Sequence, residues 1–132
     1  MANVGVIGAG SWGTALSVLL HNNGHQVTVW SIDENEVKML NEKREHELKL
    51  PGVKLPEDMV FTGDLEATVR GRDFLVMAVP SPFTRTTARK MKPYVSEGQI
   101  IVDVAKGIEE NTLMTLSRQI EQEIPQADVA VL

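Results

Sequence analysis

The 132-residue sequence predicts an α/β fold: a doubly wound, mostly parallel six-stranded sheet with helices on both faces. Three observations predict it. Short apolar runs recur at residues 4–7, 26–30, 59–61, 73–78, 99–104 and 128–132, with helix-like stretches between them, and strands that alternate with helices build a parallel sheet. Most of these runs are continuously apolar, as suits strands covered on both sides. A glycine-rich turn follows the first run and opens a helix.

That turn lies in VGVIGAGSWGTALSVLL, which places Gly8, Gly10 and Gly13 at G-x-G-x-x-G spacing. The strand–turn–helix context makes it the fingerprint of a Rossmann-type, dinucleotide-binding sheet. Gly8 permits the tight turn, Gly10 lets backbone approach a pyrophosphate, and Gly13 lets helix pack closely on strand. Helix N–H groups and the positive end of the macrodipole then meet the phosphates. Residues 14–20 are apolar almost all round, as expected of a helix wedged between sheet and cofactor.

The second run ends in VTVWSIDENEV. Asp33 stands about 20 residues beyond the loop, where the fingerprint places a ribose carboxylate. It also precedes Glu36 by three positions, the spacing of a capping box, and both readings stay open. No arginine lies between Trp30 and Lys38 to clamp a 2′-phosphate, so the expected cofactor is NAD or NADP, with a lean to NAD. KREHELKLPGVKLPED, within residues 43–60, is a charged, proline-containing excursion longer than usual connections. It reads equally as a solvated loop or as one bordering the cofactor.

Farther on, Asp64 and Glu66 have the look of helix-start carboxylates. PSPF reads as a helix start with Ser81 capping and Pro82 at the first helical position. Leu113, Leu116, Ile120 and Ile124 form one face of an amphipathic helix, with Asn111 as N-cap and Pro125 as the stop. In IIVDVAKGIEEN, Lys106 follows a strand end, where ligands bind in open α/β sheets. Its ammonium could neutralise charge building on a ketone oxygen; it reads otherwise as a surface lysine at a helix entrance. His21 and His25 flank a helix end and His46 lies in the charged loop; none is assigned chemistry, and no spaced cluster suggests a metal site.

Composition sets further bounds. Hydrophobic residues make up 42% and charged residues 23%, and the net charge is −5, which argues against nucleic acid or an anionic membrane as partner. No apolar run approaches the ~20 residues of a membrane span, and the N-terminus has no basic n-region of a secretory signal. Cysteine is absent, which excludes disulfides and thiolate chemistry and fits a cytoplasmic location. ADVAVL stops inside the sixth run, so we expect a piece of a larger protein.

Taken together, GVIGAGSWGTALS, LPGVKLPEDM, VMAVPS and VDVAKGIE resemble the NAD(P)-dependent sn-glycerol-3-phosphate dehydrogenases, from end to end of the chain. The resemblance implies hydride transfer between a nicotinamide cofactor and the glycerol 3-phosphate/dihydroxyacetone phosphate pair. It makes residues 1–132 the dinucleotide-binding domain, with a helical C-terminal domain expected beyond Leu132. That domain would carry the proton-transfer lysine, so no catalytic residue is expected in this chain. Ser11 and Trp12 fall where the family contacts the cofactor from the glycine loop. Ile32 falls where some members place an aromatic residue against adenine and others a basic residue near a 2′-phosphate. Pro80 and Phe83 fall at the cofactor, Phe83 where NAD-specific relatives put a phenylalanine. Lys106 falls on the substrate-site lysine, beside the nicotinamide. The substrate is a small molecule, and a homodimer is admitted. Two other readings remain: a reductase of the hydroxyacid or ketopantoate type from the same two-domain group, and a non-catalytic NADH-sensing module.

Overall fold

The computed structural model describes residues 1–105, 107 and 112–132. Its sheet has six parallel strands in the order β3-β2-β1-β4-β5-β6: β1 Asn3–Ile7, β2 Gln26–Trp30, β3 Val60–Thr62, β4 Phe74–Met77, β5 Ile100–Asp103 and β6 Asp128–Val131. The helices are α1 Ser11–Asn22, α2 Glu34–Lys43, α3 Leu65–Val69, α4 Thr84–Met91 and α5 Leu116–Glu123. This is the doubly wound order, and chain order reverses between β1 and β4. All six expected strands are present, within a residue of their predicted starts and ends.

Side chains alternate across the central strands into two cores, one on each face. Ile7, Trp30, Leu75, Met77 and Ile101 pack with Val69, Ala88, Met91 and Ile120 from α3, α4 and α5. Val4, Val6, Val27, Val29 and Phe61 pack on the other face with Leu40 of α2 and with Leu55 and Met59. Those last two belong to the charged excursion, which is therefore anchored in the core. Arg44 organises it: its backbone is left-handed at φ 52°, and its Nη1 donates to the carbonyls of Pro56 (3.1 Å) and Met59 (2.7 Å).

Two helix starts differ from expectation. Leu113 has φ 57° and is exposed, so it lies outside α5; the helix begins at Leu116, and the Thr115 side chain accepts from the Arg118 N–H. Asn111, the expected cap, lies outside the described residues. Ser81 is not a side-chain cap but the first residue of a single 3₁₀ turn, Ser81–Phe83, that feeds α4. Pro82 tightens that turn. Asp64 does cap α3, accepting from the Ala67 N–H, and Glu66 pairs with Arg70 one turn on.

Helices α4 and α5 are clamped by one carboxylate. Glu123 accepts from Arg85 at 2.7 Å and from Arg89 at 3.2 Å, and these guanidinium bonds, Arg89's first, hold its carboxyl below the usual range. A lowered value in the folded state means stability that is present at neutral pH and lost as pH falls below the ordinary value of 4.5. Glu123→Gln is therefore expected to lower the melting temperature at about pH 7 and to change it little at about pH 3. Equal losses at both, in thermal melts, would assign the effect to packing rather than charge.

Candidate functional site

The three glycines of the loop are required for three separate reasons. Gly8 sits at φ +120°, and a Cβ there would lie 2.7 Å from the Ala78 carbonyl oxygen. Its N–H donates to the Trp30 carbonyl at 2.9 Å, so the turn is stitched across the ends of β2, β1 and β4. A Cβ on Gly13 would collide with the Gly8 carbonyl oxygen, which shows how closely α1 is drawn onto its own entry turn. Gly10 is different: a Cβ there would meet nothing within 4 Å. No fold contact demands glycine at that point, and what its hydrogen leaves free is a path for a ligand to the backbone.

That path leads to the N-terminus of α1. Gly10 is the N-cap, with no side-chain cap hydrogen bond and no acidic residue in the first turn. The first N–H groups of a helix have no partner within it, and here they are aimed, with the positive end of the dipole, at the crevice where strand order reverses. Asp33, Asp64 and Thr115 fill the same role with side-chain oxygens at α2, α3 and α5. The arrangement fits an anionic group at α1.

A cavity of about 190 Å³ lies beside this turn. It is lined from β1 by Gly8 to Gly10, from the end of β2 by Trp30 to Asp33, from α2 by Glu36, from the excursion by Lys49, and after β4 by Val79, Pro80 and Phe83. A second hollow of about 310 Å³ shares Trp30, Ile32, Val79, Pro80 and Phe83 and extends to Thr86, Thr87 and Lys90. Ile32 and Phe83, which line both hollows, are 71% and 58% exposed; large apolar side chains left bare together mark a surface meant to be covered. Trp12, the second residue of α1, is 56% exposed. A cleft of about 510 Å³ along the β2–β3 edge is larger, but none of the glycine-loop residues lines it.

Asp33 caps α2: its Oδ1 accepts from the N–H groups of Asn35 (2.9 Å) and Glu36 (3.3 Å). The reciprocal half of a capping box is missing. Glu36 instead accepts from Ser31 Oγ at 2.6 Å, from His46 Nε2 at 3.0 Å and from Lys49 Nζ at 3.2 Å. His46 is fully buried. Ser11 Oγ donates to the Lys49 carbonyl at 2.7 Å, tying the excursion to the glycine loop. Of the two readings of residues 43–60, the structure supports the loop that borders the site.

Of the site residues expected from sequence, Gly8, Gly10, Ile32, Asp33, Pro80 and Phe83 line one cavity. Ser11 and Trp12 stand exposed at the start of α1, and Gly13 is buried beneath it; none of these three lines it. Lys106 lies outside the described residues. Its neighbour Gly107 packs beside Ser81, where an added Cβ would stand 3.3 Å from the serine side chain, so the chain after β5 reaches the rim of the site. Asp103 ends β5 nearly fully buried, and burial pushes its carboxyl above the usual range, against one hydrogen bond from the Ala105 N–H. Sequence reasoning missed Trp30, Ser31, Glu36 and Lys49. The first two could have been found from their place at the carboxyl end of β2; Lys49 had no local signal. Among the described residues no group of three or more His, Cys, Asp or Glu could hold a metal.

Residues 3–132 match the family model described as NAD-dependent glycerol-3-phosphate dehydrogenase N-terminus. The chain belongs to this family. Over all 132 residues it is 67% identical to the glycerol-3-phosphate dehydrogenase (NAD(P)+) of Agathobacter rectalis, of which it covers 39%. It is 46% identical over 134 aligned positions to the enzyme of that name from Fusobacterium nucleatum, covering 40% of it. The solved glycerol-3-phosphate dehydrogenase of Coxiella burnetii superposes with a TM-score of 0.91 at 28% identity, across 98% of this chain and 40% of that one. The chain thus spans about two-fifths of the length of the family relatives it matches.

The glycine geometry predicts opposite outcomes at two positions. Gly13→Ala is expected to destabilise the fold by about 1–3 kcal/mol, because α1 must move off the loop. Gly10→Val is expected to melt within a few degrees of wild type yet to lose dinucleotide binding. Thermal melts paired with a binding titration check both, and a Gly10→Val protein that binds as wild type does would remove the phosphate-cradle assignment.

Proposed function

We propose that this chain is the NAD(P)-binding domain of a glycerol-3-phosphate dehydrogenase, which moves hydride between the nicotinamide and the dihydroxyacetone phosphate/sn-glycerol 3-phosphate pair. One observation carries the proposal: in a member of this family, the backbone at Gly10 is left open beside an uncapped helix N-terminus and a cavity lined from the ends of three adjacent strands. In this reading the α1 N–H groups hold the pyrophosphate. Asp33 stands at the adenosine ribose, Ile32 lies against the adenine side, and Pro80 and Phe83 pass the chain of the cofactor towards β4 and β5. The cofactor supplies the hydride; the protein orients it and excludes water along the apolar wall of Trp30, Val79 and Phe83. Ser11 and Trp12 complete the cradle from above.

Lys106 is assigned to the substrate. Its place after β5 suits an ammonium that binds a phosphorylated three-carbon ketone and steadies negative charge on its oxygen during reduction. The proton-transfer group is assigned to a second, helical domain of the whole enzyme, so turnover by residues 1–132 alone is expected to be negligible. The net charge of −5 favours a small-molecule substrate over nucleic acid or an anionic membrane; a cytoplasmic location and a homodimer belong to the same reading.

The test is a fluorescence titration of the chain with NADH. Trp30 lines the cavity and Trp12 is exposed in the first turn of α1, next to the glycine loop, so binding is expected to quench tryptophan emission in a saturable way. An unchanged spectrum up to millimolar NADH would sink the proposal. In the whole enzyme, Lys106→Ala is expected to lower kcat far more than it weakens NADH binding; equal losses in both would make the lysine a cofactor ligand first.

A further inference from the structure

We propose that Glu36 makes this site discriminate against a 2′-phosphorylated dinucleotide, and that it does so by keeping Lys49 paired to itself. The inference rests on the cofactor reading above and goes on to say what sets the choice between NAD and NADP. Asp33 is the residue at which the sequence pattern places that choice; the structure adds a second carboxylate and a captive cation.

Glu36 lines the same cavity as Ile32, Asp33 and Lys49, with its side chain 13% exposed. Both of its oxygens are engaged: Oε1 by Ser31 Oγ, and Oε2 by His46 Nε2 and Lys49 Nζ. His46 Nδ1 faces the Lys49 N–H at 3.4 Å, and Nε2 is the nitrogen turned to the carboxylate. The buried histidine therefore helps to orient the carboxylate. Asp33 and Glu36 bring two negative charges to the cavity and Lys49 one positive, for a balance of one negative charge; of the neighbouring hollows that share Ile32, one adds Glu34 and the other Lys90, which offset. A ribose 2′-hydroxyl enters such a site with no charge of its own, whereas a 2′-phosphate brings about two more negative charges. That net charge repels the phosphate, and the one cation lining this cavity among the described residues is held on Glu36 rather than free to meet it.

Lys49 is nevertheless poised to serve as a phosphate ligand. Its side chain is 47% exposed, so the ammonium can swing without unpacking the core. Its backbone is fixed independently of Glu36, by Ser11 Oγ on its carbonyl and by the Leu50 N–H to the His46 carbonyl at 2.9 Å. Taking the charge from Glu36 would free the ammonium while leaving the loop where it is.

The experiment titrates the wild-type chain and three variants with NADH and with NADPH, at one fixed low salt concentration, each variant first checked by its thermal melt. The wild type is expected to bind NADH more tightly. Glu36→Gln, which keeps the shape but removes the charge and turns one acceptor oxygen into a donor, is expected to shift the NADPH-to-NADH affinity ratio by about tenfold towards NADPH. Glu36→Gln combined with Lys49→Met is expected to lose most of that gain. Lys49→Met alone, an exposed change that spares the core, is expected to weaken NADPH several-fold and NADH less than about twofold. A structural role for Glu36 would instead weaken both cofactors together. NADH binding with an unchanged ratio in Glu36→Gln overturns the proposal and leaves the cofactor reading standing. So does a gain that persists in the double variant, or, should Glu36→Gln fail to fold, a Lys49→Met protein that binds NADPH as wild type does. No saturable binding of either dinucleotide to the wild type overturns the cofactor reading itself.

Discussion

The contact between the Gly13 Cα and the Gly8 carbonyl is the constraint from which the site follows. A helix cannot come this close to the turn that feeds it if a side chain stands between them, and only the close approach aims the axis of α1 into the gap between β1 and β4. The sheet then does the rest. Parallel strands end on one side, so the turns after β1, β2 and β4 converge above the same crevice without any long-range instruction beyond strand order. The cavity is a by-product of the winding, and its polarity is set by what the helix termini present there.

The charged excursion after α2 shows how a polar segment is recruited to such a crevice. Its sequence offers few apolar residues, yet Leu55 and Met59 are almost wholly buried and His46 fully so. Arg44 makes this possible. In the left-handed conformation it turns the chain back at the end of α2, donates its guanidinium to the carbonyls of Pro56 and Met59, and lies 5.5 Å over the Phe61 ring. Folding the excursion inward brings Lys49 over the glycine loop, where Ser11 fastens it. The loop borders the site because its anchors do.

Much of the fold was legible because its signals are local. Apolar runs such as residues 26–30 carry their own length and ends, and the strand–glycine turn–helix order is specific enough to give the sheet its hand and the site its position. The misreadings came where two local rules compete. Leu113 precedes Leu116, Ile120 and Ile124 at the same apolar spacing, but spacing says nothing about backbone sign, and its left-handed φ keeps it out of the helix, which starts three residues later. Ser81 has the composition of a cap, but Pro82 behind it favours a tighter turn. Within the site, the residues that could be read are those whose role belongs to one strand end: Gly8, Gly10, Ile32, Asp33, Pro80 and Phe83. Lys49 and His46 could not be, because their position depends on contacts ten and more residues away along the chain, with Glu36.

Asp33 shows that two functions read as rivals in the sequence can be compatible in three dimensions. A helix cap and a ribose ligand both need a carboxylate at the end of β2, and the spacing alone cannot separate them. In the structure both capping bonds, from the Asn35 and Glu36 N–H groups, fall on Oδ1; Oδ2 receives no hydrogen bond from the described residues. The cap fixes the rotamer and leaves one oxygen at the cavity wall. A carboxylate already oriented by its own helix need not be ordered again when a hydroxyl arrives, so the entropic cost of binding falls on the ligand rather than on the side chain. Glu36 cannot play that part, since Ser31, His46 and Lys49 occupy both of its oxygens. The two carboxylates are three residues apart on one helix start, yet their partners differ: Asp33 keeps an oxygen free to accept from the proposed ligand, whereas Glu36 is left to act on it only through charge.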